Sequence, residues 1–96
     1  DVIIVVNYLY RPKIKKLINL LKKDGFLFYE TFSVGNEKYG SPKNPNFLLK
    51  NRELLEIFSN ELLPLSFFEG KITDKNVSIK QMGSFKKGVF EKTPCY

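Results

Sequence analysis

The first half of the chain carries a set of side chains whose types and spacing suit the handling of a small molecule. Asn7 offers an amide, Tyr8 an aromatic wall with Leu9 beside it, and Arg11 a partner for an anion. Glu30 is a carboxylate at the end of an apolar run, placed to orient an amine or a hydroxyl, with Thr31 and Phe32 next to it. Tyr39 and Phe47 stand in a long polar stretch from which aromatic rings can close over a ligand. What the chain lacks narrows the chemistry further. It has no histidine and one cysteine, so neither a Ser-His-Asp nor a Cys-His apparatus can be assembled, and transition-metal binding is set aside. There is no glycine-lysine phosphate loop and no Gly-x-Gly-x-x-Gly. Glu30 and Glu37 are the only local acids, which gives poor support to hydrolytic acid/base work.

The chemistry left is the kind in which a protein positions two reactants and a cofactor supplies the reactive group. Methyl transfer from S-adenosylmethionine is of that kind, because the sulfonium already makes the methyl carbon electrophilic.

The elements that must position these residues are legible in the same stretch. Val2-Ile3-Ile4-Val5-Val6 is an unbroken β-branched run, the pattern of a strand in the middle of a parallel layer with cover on both faces and a neighbour on either side. Pro12 suits the first turn of a helix. Ile14, Leu17, Ile18 and Leu21 then fall at i, i+3, i+4 and i+7. Lys22 and Lys23 complement the helix's negative end, and Gly25 stands where a left-handed stop is expected. Phe26-Leu27-Phe28-Tyr29 is a second strand, running into Glu30-Thr31-Phe32. Two parallel strands joined by a crossover helix collect ligands beyond their carboxyl ends, which puts Asn7, Tyr8, Leu9, Glu30, Thr31 and Phe32 on the working edge.

Downstream, residues 33–46 read as a long loop rich in turn formers, with Phe47-Leu48-Leu49 as its apolar foot. Asn51 is the expected N-cap of a short helix carrying Leu54, Leu55, Phe58 and Leu62, which Pro64 stops. Residues 65–68 and 76–82 read as an antiparallel hairpin turning through 70–75; in its second strand Val77 and Ile79 alternate with Ser78 and Lys80. Residues 83–96 show no period and read as a tail. The expected class is thus α/β with a partial, Rossmann-like sheet: two parallel strands with their crossover helix, then a helix and an antiparallel hairpin.

Bulk properties bound this picture. Ninety-six residues make one domain. The apolar run at the start is far shorter than the roughly 20 residues of a membrane span, and no basic stretch precedes it as in a signal peptide. A lone Cys95 forms no internal disulfide, which fits a reduced, cytoplasmic setting. The net charge of +6 sits mostly in the first half, on Lys13, Lys15, Lys16, Lys22 and Lys23 among others. Such lysines are the usual solvated side of an amphipathic helix, and their excess over arginine disfavours base readout. A small basic, aromatic-rich module that binds RNA or an acidic partner is the alternative from another functional class; a regulatory half of a split Rossmann-like protein is a third.

Asp1-Val-Ile-Ile-Val-Val-Asn-Tyr-Leu-Tyr-Arg-Pro12, with Leu20-Leu-Lys-Lys-Asp-Gly-Phe-Leu-Phe-Tyr-Glu-Thr-Phe32, resembles the second half of a class I S-adenosylmethionine-dependent methyltransferase domain of the tellurite-resistance type. Gly35 to Leu49, including Asn44-Pro-Asn-Phe-Leu-Leu49, and Glu53-Leu-Leu55 extend the likeness, which covers residues 1–82. The resemblance implies that Val2–Val6 and Phe26–Tyr29 are that family's fourth and fifth strands. The hairpin would supply its sixth and seventh, the seventh running antiparallel between the fifth and sixth. Asn7, Tyr8 and Leu9 would line the cofactor near its methyl-bearing end. Glu30, Thr31 and Phe32, and the loop with Tyr39, would face a small-molecule substrate, with Arg11 as a further substrate contact. The family's glycine-rich loop and its acidic cofactor residue have no counterpart here. The resemblance therefore implies a fragment whose partner is the missing amino-terminal half, and a chain that alone neither binds S-adenosylmethionine tightly nor turns over.

Overall fold

The computed structural model of the protein describes residues 1–88. Val2–Val6 forms β1; Arg11–Ile14 (α1) and Lys16–Leu20 (α2) follow, then β2 at Phe26–Phe32, α3 at Glu53–Phe58, β3 at Leu63–Thr73 and β4 at Val77–Lys86. Among the described residues the strands form one sheet in the order β1-β2-β4-β3. β1 and β2 are parallel, Val2 facing Phe26 and Val6 facing Glu30. β4 runs antiparallel to both of its neighbours, and Phe32 pairs with Lys80 across β2 and β4. The α/β class, the parallel pair with helix between, and the later helix and hairpin are as the sequence led us to expect. No helix among the described residues is long and apolar enough to cross a membrane.

Alternation in the strands sorts the sheet into two unlike faces. Leu27 and Tyr29 of β2 and Phe85 of β4 are buried under Ile14, Ile18, Leu54 and Phe58 of the helices. The rings of Phe58 and Phe85 lie 5.2 Å apart, centre to centre, and those of Phe58 and Tyr29 6.1 Å. Among the described residues the opposite face has no helix on it. Its alternate positions carry Val2, Ile4 and Val6, which are 60%, 65% and 49% exposed, and Phe26 and Phe68.

β1 therefore corrects the expectation of a strand covered on both faces with neighbours on each side. It lies at the sheet's edge with one face bare. β-branching specifies extended backbone, but it does not report how many layers pack against it.

The crossover helix keeps its apolar stripe, with Ile14, Ile18 and Leu21 buried, yet it is split at Lys15 and ends at Leu20. The stop differs from expectation too. Asp24, not Gly25, takes the left-handed backbone (φ 66°). Gly25 is required for space, since a Cβ there would lie 2.9 Å from the Lys22 carbonyl oxygen. The cation at the helix's negative end is Lys87, whose Nζ donates to the carbonyls of Ile18 (2.7 Å) and Leu21 (2.9 Å).

α3 is not capped by Asn51. Arg52 occupies the N-cap in a left-handed conformation (φ 58°), and the first turn's free N–H groups find partners elsewhere: Leu54 N–H donates to Gln81 Oε1 at 3.2 Å. The hairpin is longer than its sequence suggested, because residues 71–73 stay in the ladder and the chain turns only through residues 74–76. β4 likewise runs past Met82 to Lys86, so the first residues of the expected tail belong to the sheet, and Phe85 is a core residue. Residues 89–96, with Cys95 and the remainder of that tail, lie outside the described residues.

Gly83 makes room for this core. A Cβ on it would stand 2.7 Å and 2.9 Å from two ring carbons of Phe85, which is fully buried and has nowhere to go. Gly83→Ala is expected to destabilise the fold by about 1–3 kcal/mol through overpacking. Urea unfolding of Gly83→Ala beside Gly83→Ala/Phe85→Leu checks this, the double variant recovering part of the loss.

Candidate functional site

At the carboxyl ends of β1 and β2 two hollows lie side by side and share Phe32 and Ser41. The smaller, of about 400 Å³, is lined by Asn7, Tyr8, Leu9, Thr31 and Phe47 in addition to these two and Pro42. The larger, of about 920 Å³, takes Glu30, Tyr39 and Lys80 among its walls. Both lie within the range of roughly 300–1,000 Å³ usual for small-molecule sites. The residues expected to meet a cofactor and those expected to meet a substrate thus fall into adjoining spaces, except Arg11.

The first wall is built by the exit from β1. Asn7 turns the chain with a left-handed backbone (φ 57°), a conformation that Asn adopts more readily than most residues, and its N–H donates to the Glu30 carbonyl at 2.8 Å. Its side chain lines the smaller hollow, and Oδ1 accepts from Lys80 Nζ at 2.9 Å. Tyr8 is largely exposed, whereas Leu9 is buried in the core and shows only its edge to the smaller hollow. The Tyr29 hydroxyl, reaching up from β2, donates to the Tyr8 carbonyl and so fixes this turn from below. Burial, with the neighbouring Tyr8 adding to it, pushes the Tyr29 phenol up to about 12.

The second wall is the end of β2 and the loop after it. Glu30 and Phe32 point to the bare side of the sheet and Thr31 to the covered side, as alternation requires. Glu30 Oε2 accepts from Lys80 Nζ at 2.9 Å, and the same ammonium stands 4.8 Å from the centre of the Phe32 ring. The loop is held by a buried amide, Asn36. Its Oδ1 accepts from Ile79 N–H (3.1 Å), and its Nδ2 donates to the Ser41 carbonyl (3.3 Å). Tyr39, in this loop, lines the larger hollow, and Lys71 Nζ sits 5.4 Å from its ring centre. Leu48 and Leu49 are the loop's buried foot; Phe47 is half exposed and lines the smaller hollow instead.

Arg11 lines neither hollow. Its guanidinium holds Glu53 in a two-pronged ion pair (Nε to Oε2 2.7 Å, Nη2 to Oε1 2.8 Å) and donates to the carbonyls of Asn46 and Leu48 at 3.0 Å and 2.6 Å. It ties α1 to the loop foot and to the start of α3. The hydrogen bond to Glu53 raises the guanidinium's pKa further. For Glu53 burial acts upward, but the hydrogen bonds from Arg11 and from the Lys50 N–H outweigh it and hold the carboxyl below its ordinary 4.5.

Lys80 and Ser41 belong to the site although their residue types did not single them out. Lys80 alternates with apolar Ile79, which marks its face, but its place opposite Phe32 depends on a register between strands far apart in sequence.

No protein-family model, curated protein or solved structure matches this chain.

Two pH-dependent outcomes follow from these ionisations. Glu53 has its pKa lowered by folding, so its contribution is complete at neutral pH and is lost as the pH falls through and below about 4.5. Glu53→Gln is expected to cost about 1–3 kcal/mol at pH 7. In urea melts from pH 7 to pH 3 the gap to wild type should close on the acid side. Tyr29 is the opposite case: folding raises its pKa, so the unfolded chain ionises first and stability is lost between about pH 10 and 12. Spectrophotometric phenol titration should show a late-ionising tyrosine that Tyr29→Phe removes.

Proposed function

We propose that this chain is the carboxyl-terminal half of a class I S-adenosylmethionine-dependent methyltransferase domain, which acts in the cytoplasm on a small-molecule acceptor. The observation that carries this reading is the strand order. β1 and β2 are parallel, and β4 is inserted antiparallel between β2 and β3, as the resemblance implies for the family's fourth to seventh strands. The uncovered edge and the bare face of β1 support the reading as well, since the strands and helices of an amino-terminal half would close them. In this scheme the smaller hollow, with Asn7, Tyr8 and Leu9, borders the cofactor's methyl-bearing end. The larger hollow, with Glu30, Phe32 and Tyr39, receives the acceptor; Phe32 stands between the two, and Thr31 lines the smaller. The cofactor, when bound, supplies an electrophilic methyl group; these residues orient the acceptor and exclude water from it.

One observation favours a second reading, an RNA-binding module. The four-stranded sheet shows Phe26, Phe28, Phe32 and Phe68 on a face without helices, with Lys80 and Lys86 among them, a platform on which bases could stack.

The reading frame upstream of the Asp1 codon tests the first reading. It should encode a strand followed by a glycine-rich turn within roughly 80 residues, the scale of such a half-domain. Expressed together with that segment, the chain should bind S-adenosylmethionine saturably, and Asn7→Ala should weaken binding about tenfold. Absence of the strand and turn overturns the proposal. Labelled single-stranded RNA at about 50 and about 200 mM salt separates the second reading, because tight, steeply salt-dependent binding belongs to the module.

A further inference from the structure

The ammonium of Lys80 sits in a cage made of three different kinds of partner. A carboxylate oxygen of Glu30 and the amide oxygen of Asn7 are each 2.9 Å from it, and the face of Phe32 lies 4.8 Å away. Carboxylate, neutral oxygen and aromatic face together are what recognises an organic ammonium ion. The cage and its occupant differ in rigidity. Glu30 and Phe32 are alternate residues of β2, hydrogen-bonded within the sheet, and Asn7 is pinned to the Glu30 carbonyl through its own N–H. Lys80 reaches the cage only through the tip of a flexible four-carbon stem. The side chains are mostly shielded, Lys80 being 13% and Glu30 21% exposed, yet both line the larger hollow, so the cage opens onto a space able to hold the rest of a ligand.

We propose that this cage is a subsite for a small organic ammonium group and that Lys80 is its resident stand-in, which such a ligand displaces into solvent. No bond is made or broken in the exchange: one cation leaves the Glu30 carboxylate as another arrives, so the local charge is preserved. The subsite stands on this geometry alone. Its place in catalysis rests on the methyl-transfer reading, under which the cage anchors a cationic acceptor by a group other than the one methylated, because a protonated nitrogen has no lone pair to offer.

The probe is n-propylammonium chloride, which replaces the atoms that Lys80→Ala removes. In Lys80→Ala it should raise the thermal midpoint, where sodium chloride at equal ionic strength does not. It should also shift the amide resonances of Asn7, Glu30 and Phe32 saturably. Wild type should show the same shifts with about tenfold weaker affinity, since its tethered ammonium competes, and Lys80→Ala/Glu30→Gln should lose about tenfold relative to Lys80→Ala. If Lys80→Ala does not fold, Glu30→Gln alone should weaken the wild-type shifts by a similar factor. Absence of saturable shifts in wild type, or equal binding with and without the Glu30 carboxylate, overturns the proposal and leaves the Lys80–Glu30 contact as an ordinary structural ion pair. None of these measurements contains S-adenosylmethionine, so their failure is separate from failure of the methyl-transfer reading.

Discussion

The side-chain amide of Gln81 is the interaction on which the rest of the molecule depends. It is fully buried in β4, and its polar atoms are matched there: Nε2 donates to the Lys50 carbonyl (2.6 Å) and to Ser33 Oγ (3.0 Å), while Oε1 accepts from Leu54 N–H (3.2 Å). One side chain thus joins the end of β2, the foot of the long loop and the first turn of α3. An unmatched amide at this depth would cost on the order of 1–3 kcal/mol, so the three segments are held to one arrangement. The consequence reaches the other side of the sheet. With Gln81 committed to the covered face, Lys80 must point to the bare one, toward Glu30 and Phe32.

The two faces of the sheet do different work. Under the helices, fixed rings and aliphatic side chains close around Tyr29, Phe58 and Phe85, and polar groups are tied off by short-range partners. Arg11 and Glu53 lock α1 to α3, and the Tyr29 hydroxyl holds the turn after β1. On the bare face the charged pair of Lys80 and Glu30 is mostly shielded but lines the larger hollow. Strand backbone thus presents polar side chains to the hollow, an arrangement in which a scaffold carries side chains at an edge.

The opening β-α-β unit was legible because its signals are local: a β-branched run, a proline in the first helical turn, and apolar residues at helical spacing. The edge itself followed from topology alone: Asn7, Tyr8 and Leu9 follow β1, and Glu30, Thr31 and Phe32 end β2. Signals that depend on partners distant in sequence were not legible. Arg11 reads as a partner for a substrate anion until Glu53 is known to face it, and the first-turn N–H of α3 is met by Gln81 rather than by Asn51. Phe85 falls in the stretch that reads as a tail, because the space it fills is left by a residue without a side chain, Gly83. The bare face of β1 was invisible for a different reason: a strand's composition registers its conformation, whereas its cover is contributed by other segments.

β4 is the last strand of the described chain, yet it lies inside the sheet, between β2 and β3. During synthesis β2 is made well before β4, the strand that pairs with its inner edge, and the carbonyls at the end of α2 wait for Lys87. The inner edge of β2 and the end of α2 therefore lack these partners until residue 87 has been made. A chain cut short before that point keeps the inner edge of β2 unpaired, the kind of edge to which a strand from another molecule can add.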